Sequence, residues 1–158
     1  MPHDTASARA TSWRDWLSMA CRFGLALVWI ISGATKITEP VATKQSVAAY
    51  ELFSQNVSDL IATVLPPVEI ALGVLILLGI ALRWLGGLSA LIFLGFIAGI
   101  ASAWARGLTI DCGCFGAGGY NEDVTWWTYA SEILRDTIFV AMAVITARRP
   151  WTKLAVWP

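Results

Sequence analysis

Two cysteines separated by one glycine, Cys112-Gly113-Cys114, are the residues of this sequence best placed to do chemistry. Residues i and i+2 reach bonding distance only if the backbone between them adapts, because disulfide geometry is narrow. Gly113 allows that adaptation, since glycine has no Cβ. A disulfide in so small a ring would be strained, and strained, exposed disulfides are oxidising and labile. The pair therefore predicts thiol–disulfide exchange, with Asp111 beside it as a candidate proton shuttle.

Two other roles fit the same cysteine pair. A static disulfide would stiffen the turn, although closing such a short loop gains little, because the benefit grows with loop length. Thiolates are also soft ligands that suit Cu(I), but the chain's single histidine, His3, lies far away in the sequence. We therefore predict no metal site. The glycines that follow the pair, at positions 116, 118 and 119, predict a mobile loop that a partner backbone can approach.

The composition places this chemistry in a membrane. Hydrophobic residues make up 57% of the 158 residues and charged residues 14%, with a mean hydropathy of +0.65. A soluble domain has about 25% charged residues, so a chain this apolar needs lipid as its solvent. The length predicts one domain, residues 1–158. The formal net charge of zero gives no reason to expect a nucleic-acid partner.

Four stretches reach the length of about 20 apolar residues that a spanning helix needs; they are residues 17–35, 60–82, 84–105 and 124–147. The sequence therefore predicts an all-α integral membrane protein, a bundle of four transmembrane helices. Residues 46–64 have apolar side chains at helical spacing, which predicts a short amphipathic helix at the outer interface before the second span. Pro66 and Pro67 leave the start of that span open, because proline fits the first turn of a helix best. Only Arg83 separates the second and third spans, which predicts a tight helical hairpin.

The distribution of lysine and arginine predicts the orientation of these spans, because both residues are enriched in cytoplasmic loops. An even number of spans puts both termini on one side, and that side carries more of these residues. We therefore expect a multi-pass protein of the cell (inner) membrane with both termini in the cytoplasm. The redox loop, residues 107–123, then faces the oxidising outer compartment, where disulfides persist. Cys21 lies about a membrane thickness (~30 Å) away and is predicted to be a packed apolar residue.

Four ionisable residues fall inside the second and fourth predicted spans: Glu69, Glu132, Arg135 and Asp136. Ionisable residues at membrane depth are candidates for function. A rise of about 1.5 Å per residue places Glu69, Glu132 and Arg135 in the outer or middle part of the bilayer, so we predict that Arg135 pairs with one of the two glutamates. Carboxyl groups below the cysteine loop could exchange protons with a bound quinone, which makes these three residues candidate cofactor contacts. An ion-pair network that only fixes the bundle is equally compatible with the pattern.

Two further features of the spans predict packing. Gly95 and Gly99 have the four-residue spacing that lets helices approach closely; we interpret it as packing inside the bundle, with dimerisation as the alternative. Trp29 and Trp104 lie nearer the outer side, where an aromatic ring could line a cofactor pocket, but packing or an interfacial position is the more ordinary role.

Three motifs resemble those of a known membrane-protein family. Residues 22–24 (Arg-Phe-Gly) with 31–36 (Ile-Ser-Gly-Ala-Thr-Lys) resemble the first span of DoxX-like proteins, and residues 67–73 (Pro-Val-Glu-Ile-Ala-Leu-Gly) resemble their second. Residues 111–116 (Asp-Cys-Gly-Cys-Phe-Gly) resemble the MauE branch, the methylamine-utilisation accessory proteins. The resemblance covers residues 15–147.

The resemblance implies a four-helix membrane bundle that forms or exchanges disulfides in an exported client enzyme, together with a thioredoxin-like extracytoplasmic partner. It implies Cys112 and Cys114 as the redox pair and Glu69 as a recurring intramembrane carboxylate. DoxX-like relatives also imply a link to quinone as the electron acceptor. Two other functions fit the chain: a non-catalytic scaffold that recruits a thioredoxin-like partner, and a small metal- or solute-handling membrane protein.

Overall fold

Five α-helices and one small sheet make up the part of the chain that the computed structural model describes, residues 13–113, 115 and 118–157. In chain order they are α1 Trp13–Thr38, α2 Pro40–Ala49, α3 Gln55–Leu78, α4 Leu82–Ala105, β1 Ile110–Asp111, β2 Gly119–Tyr120 and α5 Trp126–Arg148. Helices α1, α3 and α4 are long and apolar enough to cross a membrane. The predicted all-α class is confirmed. Helix α5 has 23 residues but does not reach the same apolar character, so the fourth span stays a prediction.

Glycines bring the helices together in two close pairs, α1 with α3 and α4 with α5. A Cβ on Gly33 of α1 would lie 2.7 Å from the carbonyl oxygen of Pro66, and one on Gly73 of α3 would lie 2.8 Å from a backbone oxygen of α1. A Cβ on Gly86 of α4 would lie 2.9 Å from a backbone oxygen of α5. Since small residues let helix backbones approach closely, these positions fix the two pairs.

Trp29 joins the two helix pairs at the centre of the core. Its side chain is fully buried, and its ring stacks on Phe93 of α4 with the ring centroids 4.5 Å apart. Its indole N–H donates to the hydroxyl of Ser89, also on α4, at 3.0 Å. The buried indole therefore has both apolar and polar partners, as such rings require, and the predicted packing role of Trp29 is confirmed. Cys21 is also buried in α1, as predicted.

The predicted amphipathic helix over residues 46–64 is wrong. Residues 46–49 end α2, residues 50–54 are not helical, and α3 runs without a break from Gln55 through Pro66 and Pro67 to Leu78. Ser54 has an extended backbone, which starts the new helix. Prolines inside α3 are tolerated because neighbouring helices and local adjustments compensate for the lost hydrogen bonds in membrane helices. Helix α3 corresponds to the second predicted span, residues 60–82, but it starts and ends earlier. The first, third and fourth predicted spans agree with α1, α4 and α5 to within about one helical turn.

Residues 79–81 connect α3 to α4, which confirms the predicted tight helical hairpin, although the break precedes Arg83, which is a residue of α4. Gly79 ends α3 in the left-handed conformation, with φ +76°, which glycine adopts at little cost. Beyond this turn α3 packs on α1 and α4 packs on α5, and α3 and α4 contact each other only sparsely. A space is therefore left between α3 and α4.

Arg22 is a buried cation at the end of the bundle where α3 and α5 terminate. Its fully buried guanidinium donates to the carbonyls of Ile76 at 3.0 Å, Leu77 at 2.8 Å and Trp151 at 2.9 Å. The first two carbonyls lie in the last turn of α3, where helix carbonyls have no partner within the helix. Arg22 thus ties α1 to the end of α3 and to the segment that follows α5.

We expect Arg22→Met to lower the free energy of unfolding by about 3 kcal/mol, because it leaves several buried carbonyls without a charged donor. Thermal unfolding in detergent micelles measures the loss. Arg83→Met, at an exposed position of α4, is the matched control and should unfold like the wild-type protein. Equal stability of the Arg22→Met and Arg83→Met proteins would contradict this role for Arg22.

Candidate functional site

Cys112 and Gly113 directly follow β1, the first strand of a short hairpin after α4. Strands β1 and β2 pair antiparallel. The hydroxyl of Tyr129 on α5 accepts a hydrogen bond from the N–H of Ile110 at 3.1 Å and donates to the carbonyl of Leu108. On the other side, the hydroxyl of Tyr120 donates to the carboxylate of Glu51, and this hydrogen bond raises the pKa of Tyr120 above its usual value. The hairpin is therefore fixed to the first turns of α5 and to the residues after α2.

Cys112 lies against two charged side chains of α5. Its backbone N–H donates to Glu132 Oε1 at 3.3 Å, and Nη2 of Arg135 lies 3.4 Å from its sulfur. Arg135 also forms an ion pair with Asp136 at 3.0 Å, and its guanidinium lies over the ring of Phe115. A cation beside a sulfur stabilises negative charge that develops on it during exchange. The structure thus brings together Cys112, Glu132 and Arg135.

Cys114, the second cysteine of the predicted pair, lies outside the described residues, so its role stays a prediction. Asp111 is described, and its Oδ1 accepts a hydrogen bond from the N–H of Gly113 at 3.2 Å. This bond spans two residues and closes an Asx-type turn. Asp111 therefore helps to shape the turn that presents Cys112, and its predicted proton-shuttle role stays a prediction.

Gly113 is positioned by close contact with α2. Its φ is +63°, a left-handed conformation that favours glycine, so the backbone freedom predicted at this position is used. A Cβ here would lie 2.6 Å from Ser46 Oγ and 3.1 Å from the Cα of Gly118. The N–H of Gly118 in turn donates to Ser46 Oγ at 3.1 Å. Gly118 thus permits close packing of the hairpin on α2, while the mobility predicted for the loop stays a prediction; Gly116 lies outside the described residues.

We expect Gly113→Ala to displace the cysteine turn and expose Cys112, because the added methyl group meets Ser46. The measurement is the alkylation rate of reduced Cys112 in a Cys114→Ser background, which should rise. Gly107→Ala is the matched control, since Gly107 also has a positive φ of +70° but a Cβ there would contact nothing within 4 Å. Both variants place alanine at a positive φ, so they share the same kind of backbone strain. Equal alkylation rates in the two variants would therefore show that the contact with Ser46 does not hold the turn.

Glu69 pairs with Lys36 and not with Arg135, for which Glu69 was one of the two predicted partners. Nζ of Lys36 lies 2.7 Å and 2.9 Å from the two carboxylate oxygens of the fully buried Glu69. The hydroxyl of Ser32 lies 2.7 Å from the same nitrogen. Because α1 continues to Thr38, Lys36 is a helix residue on the face that packs on α3. The sequence signal is present, since Ser32, Gly33 and Lys36 share one helix face by their spacing, but the predicted first span, residues 17–35, ends just before Lys36.

The arrangement around Cys112 also has the spacing of a metal site. One ligand atom each from Asp111, Cys112 and Glu132 lies within 4.8 Å of the others, and thiolate and carboxylate groups are metal ligands. The guanidinium of Arg135, however, lies against the sulfur on one side, and its positive charge opposes that of a metal cation. The geometry therefore favours chemistry at the sulfur over metal binding.

A cavity of about 170 Å³ lies between the buried ion pair of Lys36 and the turn that carries Cys112. It lies between α2, α3 and α4, in the space that these helices leave open, and both Lys36 and Cys112 line it. Gly95 and Gly99 form part of its α4 wall. A Cβ on Gly99 would touch the ring of Tyr50 at 3.5 Å, whereas one on Gly95 would meet nothing within 4 Å. The predicted packing role is therefore wrong for Gly95, which leaves space instead of filling it.

Comparison with known proteins identifies the family. No curated protein and no solved structure matches the chain. A family model described as methylamine utilisation protein MauE matches residues 14–149, which include all five helices apart from the first residue of α1. The match supports the MauE branch of the resemblance, while the wider likeness to DoxX-like proteins stays a prediction. This chain belongs to the MauE family of methylamine utilisation proteins.

Proposed function

We propose that this protein is a membrane accessory factor of methylamine utilisation that uses Cys112 and Cys114 to form or exchange disulfides in an exported client. Family membership supports the accessory role, and three apolar helices support the membrane location. The observation that carries the redox chemistry is the contact between the sulfur of Cys112 and Arg135 at 3.4 Å. A cation at this position assists a sulfur that gains negative charge during a reaction.

The exchange starts from the oxidised cysteine pair. A thiolate of the partner attacks Cys114, and the Cys112–Cys114 bond breaks as a mixed disulfide forms. Cys112 leaves as a thiolate, which Arg135 stabilises. The second thiolate of the partner then attacks the mixed disulfide, so that the partner becomes oxidised and both cysteines become thiols. Two electrons pass from the partner to the pair, and the two protons of the partner's thiols end on the cysteine pair.

The proposed partner is a thioredoxin-like extracytoplasmic protein that acts on the exported client. The proposed location is the inner membrane with both termini in the cytoplasm, supported by the distribution of lysine and arginine in the sequence. In that orientation the hairpin with Cys112 faces the compartment where disulfides persist.

A single-turnover experiment tests the proposal. The full chain in lipid nanodiscs is oxidised with diamide, freed of reagent, and mixed without oxygen with a reduced thioredoxin as the reporter. We expect one reporter disulfide to form for each protein molecule, measured by alkylation of the remaining reporter thiols. A scaffold that only recruits its partner would bind the reporter and leave it reduced, and that result would overturn the proposal.

A further inference from the structure

We propose that the cavity between α2, α3 and α4 binds the headgroup of a lipid-soluble quinone, which accepts the electrons of the reduced cysteine pair. The inference rests on the proposed function, because it concerns how the pair is reoxidised after exchange. The observations that support it are the volume of the cavity and the presence of Lys36 and Cys112 in its lining.

The cavity has apolar walls with two reactive features. Side chains such as Phe53, Leu65 and Phe96 form most of its surface, which suits a ring that dissolves in lipid. Lys36 and Cys112 also line it. The ammonium of Lys36 lies 6.0 Å from the centre of the Phe96 ring, so positive charge is placed directly at an apolar wall. The residue that carries the reacting sulfur and the residue that carries a fixed positive charge therefore line the same small space.

The dimensions and position of the cavity fit a headgroup whose tail remains outside. Its volume of about 170 Å³ is below the range of about 300–1,000 Å³ that holds a drug-sized ligand. The space lies where α3 and α4 separate, and Gly95 on its wall is exposed at the surface of the bundle. A ring can thus enter between the two helices from the bilayer while its apolar tail stays in lipid.

The chemistry of the walls distinguishes a quinone from a lipid acyl chain. An acyl chain would fill the apolar part of the cavity but would gain nothing from the ammonium of Lys36. A quinone gains negative charge on its oxygens as electrons arrive, and a positive charge already fixed nearby stabilises that change. Lys36 is fixed in place by Glu69 and Ser32, so its position does not depend on the ligand.

The proposed redox step balances with a quinone as the named oxidant. The thiols of Cys112 and Cys114 lose two electrons and two protons, and a sulfur–sulfur bond forms between them. The quinone takes up both electrons and both protons and leaves as the quinol. The oxidised pair is then ready for another exchange with the partner.

The test measures quinone reduction by the full chain in nanodiscs under anaerobic conditions. Decylubiquinone is the probe, because its fully substituted ring resists direct addition of thiols, and reduced thioredoxin is the electron donor. We expect quinone absorbance to fall in step with reporter oxidation, with many turnovers per protein. Gly95→Leu, which places a side chain at the cavity wall without a backbone clash, should reduce this rate at least tenfold.

Gly87→Leu is the matched control. Gly87 also lies on α4, a Cβ there would meet nothing within 4 Å, and it does not line the cavity. Both variants should give wild-type single-turnover exchange, which shows that they fold.

Normal exchange without quinone reduction in the wild-type protein would overturn this inference alone. Equal quinone reduction in the two variants would also overturn it and would indicate an acyl chain in the cavity. Failure of single-turnover exchange in the wild-type protein would overturn the proposed function and this inference together.

Discussion

The Cys112→Ser protein is expected to transfer no disulfide to reduced thioredoxin, whereas the wild-type protein oxidises one reporter molecule per chain. Serine keeps the size of the side chain but cannot form a disulfide, so the exchange has no oxidised form to start from. The backbone N–H of Cys112, which donates to Glu132, is kept in the variant. The loss should therefore concern the chemistry and leave the fold unchanged.

Two further serine variants test whether the loss is specific to the cysteine pair. Cys114→Ser should cause the same loss, because the pair needs both sulfurs. Cys21→Ser is the control, since Cys21 is buried in α1, and it should exchange at the wild-type rate. Retained exchange in either Cys112→Ser or Cys114→Ser would contradict a mechanism that uses the pair.

Arg135 can be assessed in the same experiment. Arg135→Gln removes the positive charge beside the sulfur of Cys112, while Arg135→Lys keeps a charge but loses the planar group that lies over Phe115. If Arg135 stabilises the leaving thiolate, exchange should be slow in the glutamine variant and partly restored in the lysine variant. Equal rates in the three proteins would mean that Arg135 has only a structural role.

The helices could be predicted from the sequence because length and apolar character are local properties. The short connection between α3 and α4 and the bounds of α4 and α5 followed from the same signals, although the connection lies at residues 79–81 and not at Arg83. The break at residues 50–54 could not be predicted, because apolar side chains continue at helical spacing through it. That break depends on where α2 and the cysteine hairpin pack, for example through the contact of Ser46 with Gly113 and Gly118. Such contacts join residues that are distant in the sequence.

The site was predictable only where one helix carries its residues. Glu132 and Arg135 share a face of α5 by their spacing, and both contact Cys112. The partner of Glu69 was missed because it belongs to another helix. The apolar stretch that predicts the first span ends at residue 35, whereas α1 continues past Lys36 to Thr38. The cavity was also missed, since the absence of side-chain contacts at Gly95 is visible only in the structure.

Glu69→Leu is expected to lower the free energy of unfolding by about 3–5 kcal/mol, because it leaves the buried ammonium of Lys36 without its counter-charge. The carboxylate and the ammonium lie 2.7 Å apart with side-chain exposures of 0% and 8%, so the pair is largely shielded from water. Unfolding in mixed detergent micelles with increasing dodecyl sulfate measures the change. A loss below about 1 kcal/mol, as for a pair exposed to solvent, would contradict the burial of this ion pair.

The double variant Lys36→Met/Glu69→Leu separates the structural role of the pair from its role in the redox reaction. Replacing a whole buried ion pair with apolar residues is often neutral for stability, so the double variant should recover most of the loss. If Lys36 also stabilises the charge on a reduced quinone, the recovered protein should exchange disulfides in a single turnover but reduce decylubiquinone slowly. Recovery of both stability and quinone reduction would instead mean that the pair only fixes α1 against α3. The two measurements on one protein thus decide between the two roles that the intramembrane charges have in the sequence.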